Sequence, residues 1–286
     1  MVACAKQVGP ISWAWPKRFT PLSIKCLIRS AETYELPGRA VTVDPSSYLI
    51  INEGTEYSSR IDSTSDVETA SVFLSGEICS QVYASLNLPD EKLLDGDEAN
   101  AASNPVRFVE RLYPKDETIT PILINIHRLA NTPSSDCQLE DNVYLLVEKL
   151  FMLHSQTNRE IEQLRFAKPS TKEEIYKRLH VCRDFMVSNI GGNLNLEEIA
   201  SIAGFAPHHF LRVFREVFGA TPHQYLTKMR LERAHDMVLK RDQTISEICA
   251  SVGFESLSSF SALYKRTFKV SPQQERSLER NYLKYR

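Results

Sequence analysis

The same helix-turn-helix pattern is written twice between residues 194 and 276, and no other feature limits the fold of this chain as strongly. The first copy runs Leu196, Ile199, Ala200, Ala203, Gly204, Phe205, then Phe210, Phe214, Phe218 and Pro222. The second runs Ile245, Ile248, Cys249, Val252, Gly253, Phe254, then Phe260, Tyr264, Phe268 and Pro272. The offset is 49 residues up to the Gly-Phe pair and 50 after it, so the second turn carries one extra residue. Repetition at such a period signals repeated supersecondary units.

Each copy follows simple rules. Leu196, Ile199, Ala200 and Ala203 form an i, i+3, i+4, i+7 stripe, one apolar face of a short helix. Asn195 precedes it as the expected N-cap, and Glu197 and Glu198 suit the positive end of the helix dipole. Gly204 can adopt the left-handed conformation that stops the helix, and Phe205 plugs the gap that follows. The next helix has an aromatic inner face of Phe210, Phe214 and Phe218. Its outer face offers His208, His209, Arg212 and Arg215. A cationic helix held across another by a tight glycine turn is the arrangement that reads DNA.

On these residues, 172–286 resembles the DNA-binding domain of the AraC/XylS family of bacterial transcription regulators. The matching positions include Ile199-Ala200, Gly204-Phe205, Phe214, Thr221-Pro222, Arg230 and Ala234. They continue through Ile245, Ile248, Gly253-Phe254, Phe260, Lys265, Phe268, Pro272 and Arg276. The resemblance implies an all-α domain with two helix-turn-helix motifs and double-stranded DNA as the partner. It also admits RNA polymerase as a further partner. A packing module whose aromatics are only core is the competing interpretation.

The two outer faces are unequal. Arg212 can pair with guanine through two hydrogen bonds, and the histidines can donate to an acceptor. The second copy offers Leu257, Ser258 and Ser261, with Ala262 where the family often carries a long polar residue or Arg. Lys265 and Arg266 are better placed for phosphate, which gives affinity and register rather than sequence. Direct reading is therefore expected mainly in the first motif. The helix from Thr221-Pro222 to about Lys240 links the motifs, and two readers on one rigid link should enter successive major grooves, about 34 Å apart.

Charge separates the two halves of the chain. Residues 171–286 hold 18 Lys and Arg against 13 Asp and Glu, whereas residues 1–170 hold 16 against 23. A basic C-terminal half suits a polyanion and an acidic N-terminal half does not. The six cysteines are scattered without a CxxC pair, which points away from a zinc knuckle or a disulfide framework. Cys182 and Cys249 fall at helical core positions. No signal-peptide pattern and no apolar run long enough for a membrane span are present, so the expectation is a cytoplasmic protein with no membrane partner.

Residues 1–20 suggest an irregular arm, because Pro10, Pro16 and Pro21 interrupt Trp13, Trp15 and Phe19. Either these aromatics lie on the domain or the arm closes over a ligand. Strands are expected at Leu22–Arg29, Arg39–Val43, Tyr48–Asn52 and Val67–Phe73, separated by turn chemistry. Such a series suggests an antiparallel barrel or jelly roll. Its order resembles the cupin-like sensor half of the same family, although Asp44-Pro45-Ser46-Ser47 stands where a proline-glycine turn is usual. None of the seven histidines falls in the strands, which speaks against a metal site or a cupin-type enzyme there. Interior ligand candidates are Lys25, Arg29, Tyr48, Tyr57 and Arg60, and the ordinary placement of each is the surface.

Residues 76–116 look mixed, with loops at 93–97 and 99–105. A helix should start at Pro121 with Thr120 as its cap, and a second should run from about Gln138 to Leu164. The second carries Val143, Val147, Leu150 and Phe151 on more than one side, more apolar surface than one barrel needs. The resemblance makes these helices a homodimer interface; a helix buried within one domain would carry the same pattern. The expected organisation is an α+β chain: a cupin-like sensor at 1–117, a helical dimerisation element and linker at 118–170, and a DNA-binding domain at 171–286. The function it implies is sequence-specific transcription regulation under a small-molecule effector, with no catalytic residues and no cofactor. Control by a protein partner instead of a small molecule is the second reading.

Overall fold

The computed structural model describes residues 2–7, 11–87, 106–132, 136–165, 169–240 and 242–282. The expected loops at 93–97 and 99–105 lie outside them. The chain divides into two compact units, Met1–Lys177 and Arg178–Arg286.

The first unit is an antiparallel two-sheet domain with helices. Its strands are β1 (Val2–Gln7), β2 (Ile11–Phe19), β3 (Leu22–Arg29), β4 (Glu32–Leu36), β5 (Arg39–Val43), β6 (Ser47–Ile51), β7 (Glu56–Ser63), β8 (Val67–Leu74) and β9 (Leu112–Pro114). One sheet has the order β1-β8-β3-β6-β9 and the other β2-β7-β4-β5. No strand is shared between them, so hydrogen bonding does not close the expected barrel among the described residues.

The irregular arm expected over 1–20 is corrected to two strands. β1 pairs with β8, and β2 pairs with β7. The prolines do not prevent this because β2 is an edge strand and its register slips between Trp15 and Arg18, which places Pro16 where no ladder donor is needed. Nor do its aromatics lie buried on the domain: Trp13, Trp15 and Phe19 are all exposed. The mixed stretch after Leu74 opens with helix α1 (Gly76–Asn87).

Helices α2 (Thr120–Ala130) and α3 (Asp136–Gln163) cover one face of the larger sheet. Ile24, Cys26, Tyr48, Ile50, Ala70 and Val72 meet Leu123, Ile126, Leu146, Val147 and Leu150 there. β3 and β6 are therefore buried on both faces, which erases the alternation expected of a half-exposed strand. Thr120 is not the cap of α2. The carboxylate of Asp116 accepts from the amides of Thr118 and Ile119, and Thr120 Oγ1 accepts from the Asp116 amide at 3.0 Å. Of the interior candidates, Arg29 and Arg60 are exposed and pair with Asp66 and Glu35. Lys25, Tyr48 and Tyr57 are buried, contrary to their ordinary placement.

The second unit is all-α. Helix α4 (Pro169–Ser188) leads into α5 (Leu196–Ile202), α6 (Pro207–Phe218), α7 (Pro222–Lys240), α8 (Ile245–Ser251), α9 (Leu257–Phe268) and α10 (Pro272–Tyr282). Pro207, Pro222 and Pro272 each open a helix, where a missing amide hydrogen costs nothing. Among the described residues no helix is long and apolar enough to cross a membrane.

Candidate nucleic-acid interface

Both turns form as the sequence requires. The Asn195 side chain accepts from the Glu198 amide at 2.7 Å, capping α5. Thr244 and Glu247 cap α8 reciprocally, and the bonds from Thr244 hold the Glu247 carboxyl below its usual range. Gly204 and Gly253 adopt φ of +66° and +82°, the left-handed region that favours glycine. The amides of Phe205 and Phe254 then return to the carbonyls of Ala200 and Cys249.

An aromatic ladder fixes the second helix of each motif. Phe210, Phe214 and Phe218 stack along α6 with ring centroids 5.3 and 4.5 Å apart. Phe260, Tyr264 and Phe268 repeat this along α9 at 5.6 and 4.6 Å. Phe210, Phe214, Phe260 and Tyr264 are fully buried, so neither helix can rotate about its axis without opening its core.

The outer faces stay in solvent. His208, His209, Arg212 and Arg215 are exposed on α6. His209 rests edge-on against Phe205 at 5.1 Å, which fixes its direction. Among the described residues, neither Arg212 nor Arg215 enters an ion pair, so both guanidinium groups remain available. On α9, Leu257, Ser258, Lys265 and Arg266 are exposed and Ser261 is half-buried. Leu257 and Ser261 form one wall of an open groove of about 540 Å³. The other walls are the starts of α8 and α10, with Thr244, Ser246, Ser271 and Gln273. The second face is therefore neutral and rich in hydroxyls at its start, and cationic only in its last turn.

One further arrangement has no counterpart in the sequence pattern: an arginine from the preceding long helix lies against each turn glycine, bonding the turn itself in the first copy and the loop before the first motif in the second. Arg178 on α4 donates to the carbonyls of Ala203 and Gly204, and its guanidinium lies 4.4 Å from the Phe205 ring centroid. Arg230 on α7 donates to Ile190 at 2.9 Å and Gly192 at 2.6 Å, and lies against Gly253. A Cβ on Gly191 would sit 2.5 Å from the Ser251 carbonyl oxygen, so the loop before the first motif packs tightly on the second. In the sequence Arg230 stands out only as a family position, and Arg178 does not stand out. Their acceptors are backbone carbonyls, which carry no signature in a sequence.

Residues 178–277 match the protein family described as "Helix-turn-helix domain". The RCS-specific HTH-type transcriptional activator RclR of Escherichia coli is 34% identical over 36% of this chain and 36% of its own length. The Msm operon regulatory protein of Streptococcus mutans is 24% identical over 74% of this chain and 77% of its own. A solved AraC-type DNA-binding domain-containing protein from Chromobacterium violaceum is 25% identical, with a TM-score of 0.34, over 38% of this chain and 95% of that one. The chain spans about a third of the length of several other curated regulators it matches. The doubled glycine turn, the two aromatic ladders and the family match agree: residues 178–277 are a helix-turn-helix domain of the kind found in HTH-type transcriptional regulators.

Proposed function

We propose that this protein is a sequence-specific transcription regulator that reads double-stranded DNA through α6 and anchors on its backbone through α9. The observation that carries this reading is the pair of rigidly mounted helices with solvent-facing His208, His209, Arg212 and Arg215 on one, and Lys265 and Arg266 on the other. Arg212 has the reach and geometry for a guanine, and Lys265 and Arg266 suit phosphate. Leu257 suits a thymine methyl, with Ser258 and Ser261 beside it at the groove. Binding to a duplex should weaken steeply with salt, by a slope of about 0.9 per phosphate contacted, because bound cations displace condensed counterions. A folded protein that binds no duplex at low salt would refute the reading.

Residues 1–117 are assigned as a cupin-like sensor for a small-molecule effector. Buried polar side chains between the two sheets support a ligand site more than a surface that docks a protein. Residues 118–170 are assigned as a homodimer face; Val147 and Leu150, expected on it, are buried in the core instead, and the assignment rests on Tyr144, Leu145 and Met152 of α3 and Ile124 of α2, which stay exposed. Light scattering should then report a dimer at tens of micromolar, roughly the range for modest interfaces, and a monomer there would sink this assignment. A cytoplasmic location follows from the role, and RNA polymerase is a further candidate partner. No catalytic role, cofactor or metal enters this reading.

A further inference from the structure

We propose that the space between the two sheets, at the β2 edge, binds a monocarboxylate carried on a flat apolar body, held by Lys25 and Arg18. This assignment rests on reading the first unit as a sensor and names the chemistry of its ligand.

Strand register places the residues. Ser59 of β7 lies opposite Trp15 of β2 and Tyr34 of β4, and Ile61 lies opposite Trp13. Directly opposed residues share a face of a sheet, and so do residues two apart. Trp13, Trp15, Tyr34, Tyr57 and Ser59 therefore project from one side of the smaller sheet. Lys25 of the larger sheet reaches that same side. Its ammonium lies 5.0 Å from the Tyr57 ring centroid and 4.0 Å from that of Phe73.

Lys25 is only 1% exposed, and among the described residues its ammonium meets aromatic faces but no hydrogen-bond acceptor or carboxylate. An ammonium buried without an ion-pair or hydrogen-bond partner is costly, and lysine is seldom found so. Arg18 adds a second cation, 5.0 Å from the Trp15 ring and 5.2 Å from that of Tyr57. The acid nearby, Glu32, is held by the Tyr34 hydroxyl at 2.7 Å. Glu32 opposes the charge of Lys25 from a distance, without an ion pair or hydrogen bond to it among the described residues, and Arg18 stands exposed at the rim. The buried Ser59 hydroxyl makes no hydrogen bond among the described residues. A carboxylate satisfies all of these groups at once, since it accepts from ammonium, guanidinium and hydroxyl donors alike.

The body of the ligand is read from the edge strand. Trp13 and Trp15 stack with centroids 5.1 Å apart and planes 22° apart, and are 46% and 40% exposed. Two half-exposed indoles beside a buried cation offer flat apolar surface to a flat apolar partner.

The proton on Lys25 gives the assignment a second signature. Burial first, then Arg18, pull its pKa down to about 7, while Glu32 opposes them. The groups facing it are Arg18 on β2, Glu32 and Tyr34 on β4 and Tyr57 on β7; Phe73 on β8 and Leu49 on β6 carry no charge. The empty protein should gain stability as pH rises from about 7 towards 10.5, because folding then no longer buries a charge. Carboxylate binding needs the charged form, so it is full below pH 7 and weakens above.

The test uses the full-length protein with benzoate, 2-naphthoate and decanoate, each beside its neutral amide, followed by calorimetry. Trp13 and Trp15 are the only two tryptophans, so their emission reports benzoate directly. At least one aromatic carboxylate should bind, its amide and decanoate should bind at least tenfold more weakly, and the affinity should fall above pH 7. Lys25→Met keeps the volume, removes the buried charge and should raise the stability of the empty protein. It should weaken the carboxylate by about 10- to 100-fold, the range for a charge-assisted hydrogen bond. Trp15→Leu should weaken the aromatic carboxylate with little change in its pH profile. The proposal is overturned if no carboxylate of the panel outbinds its amide, if decanoate binds best, or if Lys25→Met leaves affinity and pH profile unchanged. A neutral compound that binds wild type and Lys25→Met alike would remove the carboxylate assignment and leave the sensor reading standing.

Discussion

The two helix-turn-helix copies share a buried skeleton and differ in what they expose. Ile199, Ala200, Ala203, Phe210 and Phe214 in the first copy match Ile248, Cys249, Val252, Phe260 and Tyr264 in the second, and all ten are buried. Both turn glycines are left-handed, and an arginine lies against each: Arg178 bonds the first turn, while Arg230 packs on Gly253 and bonds the loop before the first motif. Outside this skeleton the copies diverge. The first reader shows two histidines and two arginines; the second shows a leucine and serines, with cations only in its last turn. Packing holds the inner residues because a core at crystal-like density tolerates little change in volume. It places no such demand on the outer ones. One architecture can thus present two different outer faces, and the proposed division gives base reading to one copy and backbone anchoring to the other.

The sharpest way to break the claim of a shared skeleton is to remove the braces. Arg178→Ala deletes two charge-assisted bonds to the first turn and Arg230→Ala two to the loop at Ile190 and Gly192, and each should cost about 2 kcal/mol, discounted for partial exposure. Denaturant unfolding measures both. A loss below about 0.5 kcal/mol in either would show that the braces are surface decoration.

A smaller effect separates the copies at their reader ends. α6 ends on Gly219 at φ +70°, and α9 ends on Lys269 at φ +69°. The same left-handed cap is unstrained in the first copy and strained in the second, since a Cβ costs roughly 1–2 kcal/mol there. Gly219→Ala should destabilise by about 1 kcal/mol. Lys269→Gly should stabilise by a few tenths up to about 1 kcal/mol, less the bond from its ammonium to the Arg266 carbonyl and the added freedom of the unfolded chain. Thermal unfolding checks the pair, and equal signs for the two substitutions would contradict the comparison.

The second unit is far more legible in sequence than the first, and the reason is physical. Its helices announce themselves through period, caps and glycine turns, and the expected starts at Asn195 and Pro222 hold in the structure. β3 and β5 are legible as apolar runs with turns beside them. β4 and β7 are not, because Glu32, Glu35, Ser58, Ser59 and Arg60 give them a polar composition. β2 is hidden by Pro16, which an edge bulge accommodates. The rule that lysine faces water places Lys25 outside. That rule fails in a strand covered on one side by helices and on the other by a second sheet. The nine residues expected to contact DNA all lie on α6 and α9, and all but the half-buried Ser261 are exposed. Thr244, Ser246, Ser271 and Gln273, which complete the groove beside Leu257 and Ser261, come from two other helices and share no spacing with them.

The division of labour between the copies is tested most directly by selecting bound DNA from a random pool with wild type, Arg212→Ala and Lys265→Ala, and then measuring each variant on the selected site and its single-base changes. Arg212→Ala should cost roughly 1–3 kcal/mol on the selected site and relax preference at one base pair. Lys265→Ala should weaken all sequences alike and lower the salt slope by about 1. If Lys265→Ala changed base preference while Arg212→Ala weakened every site equally, α9 would be the reader and α6 the anchor, the reverse of the division proposed for them.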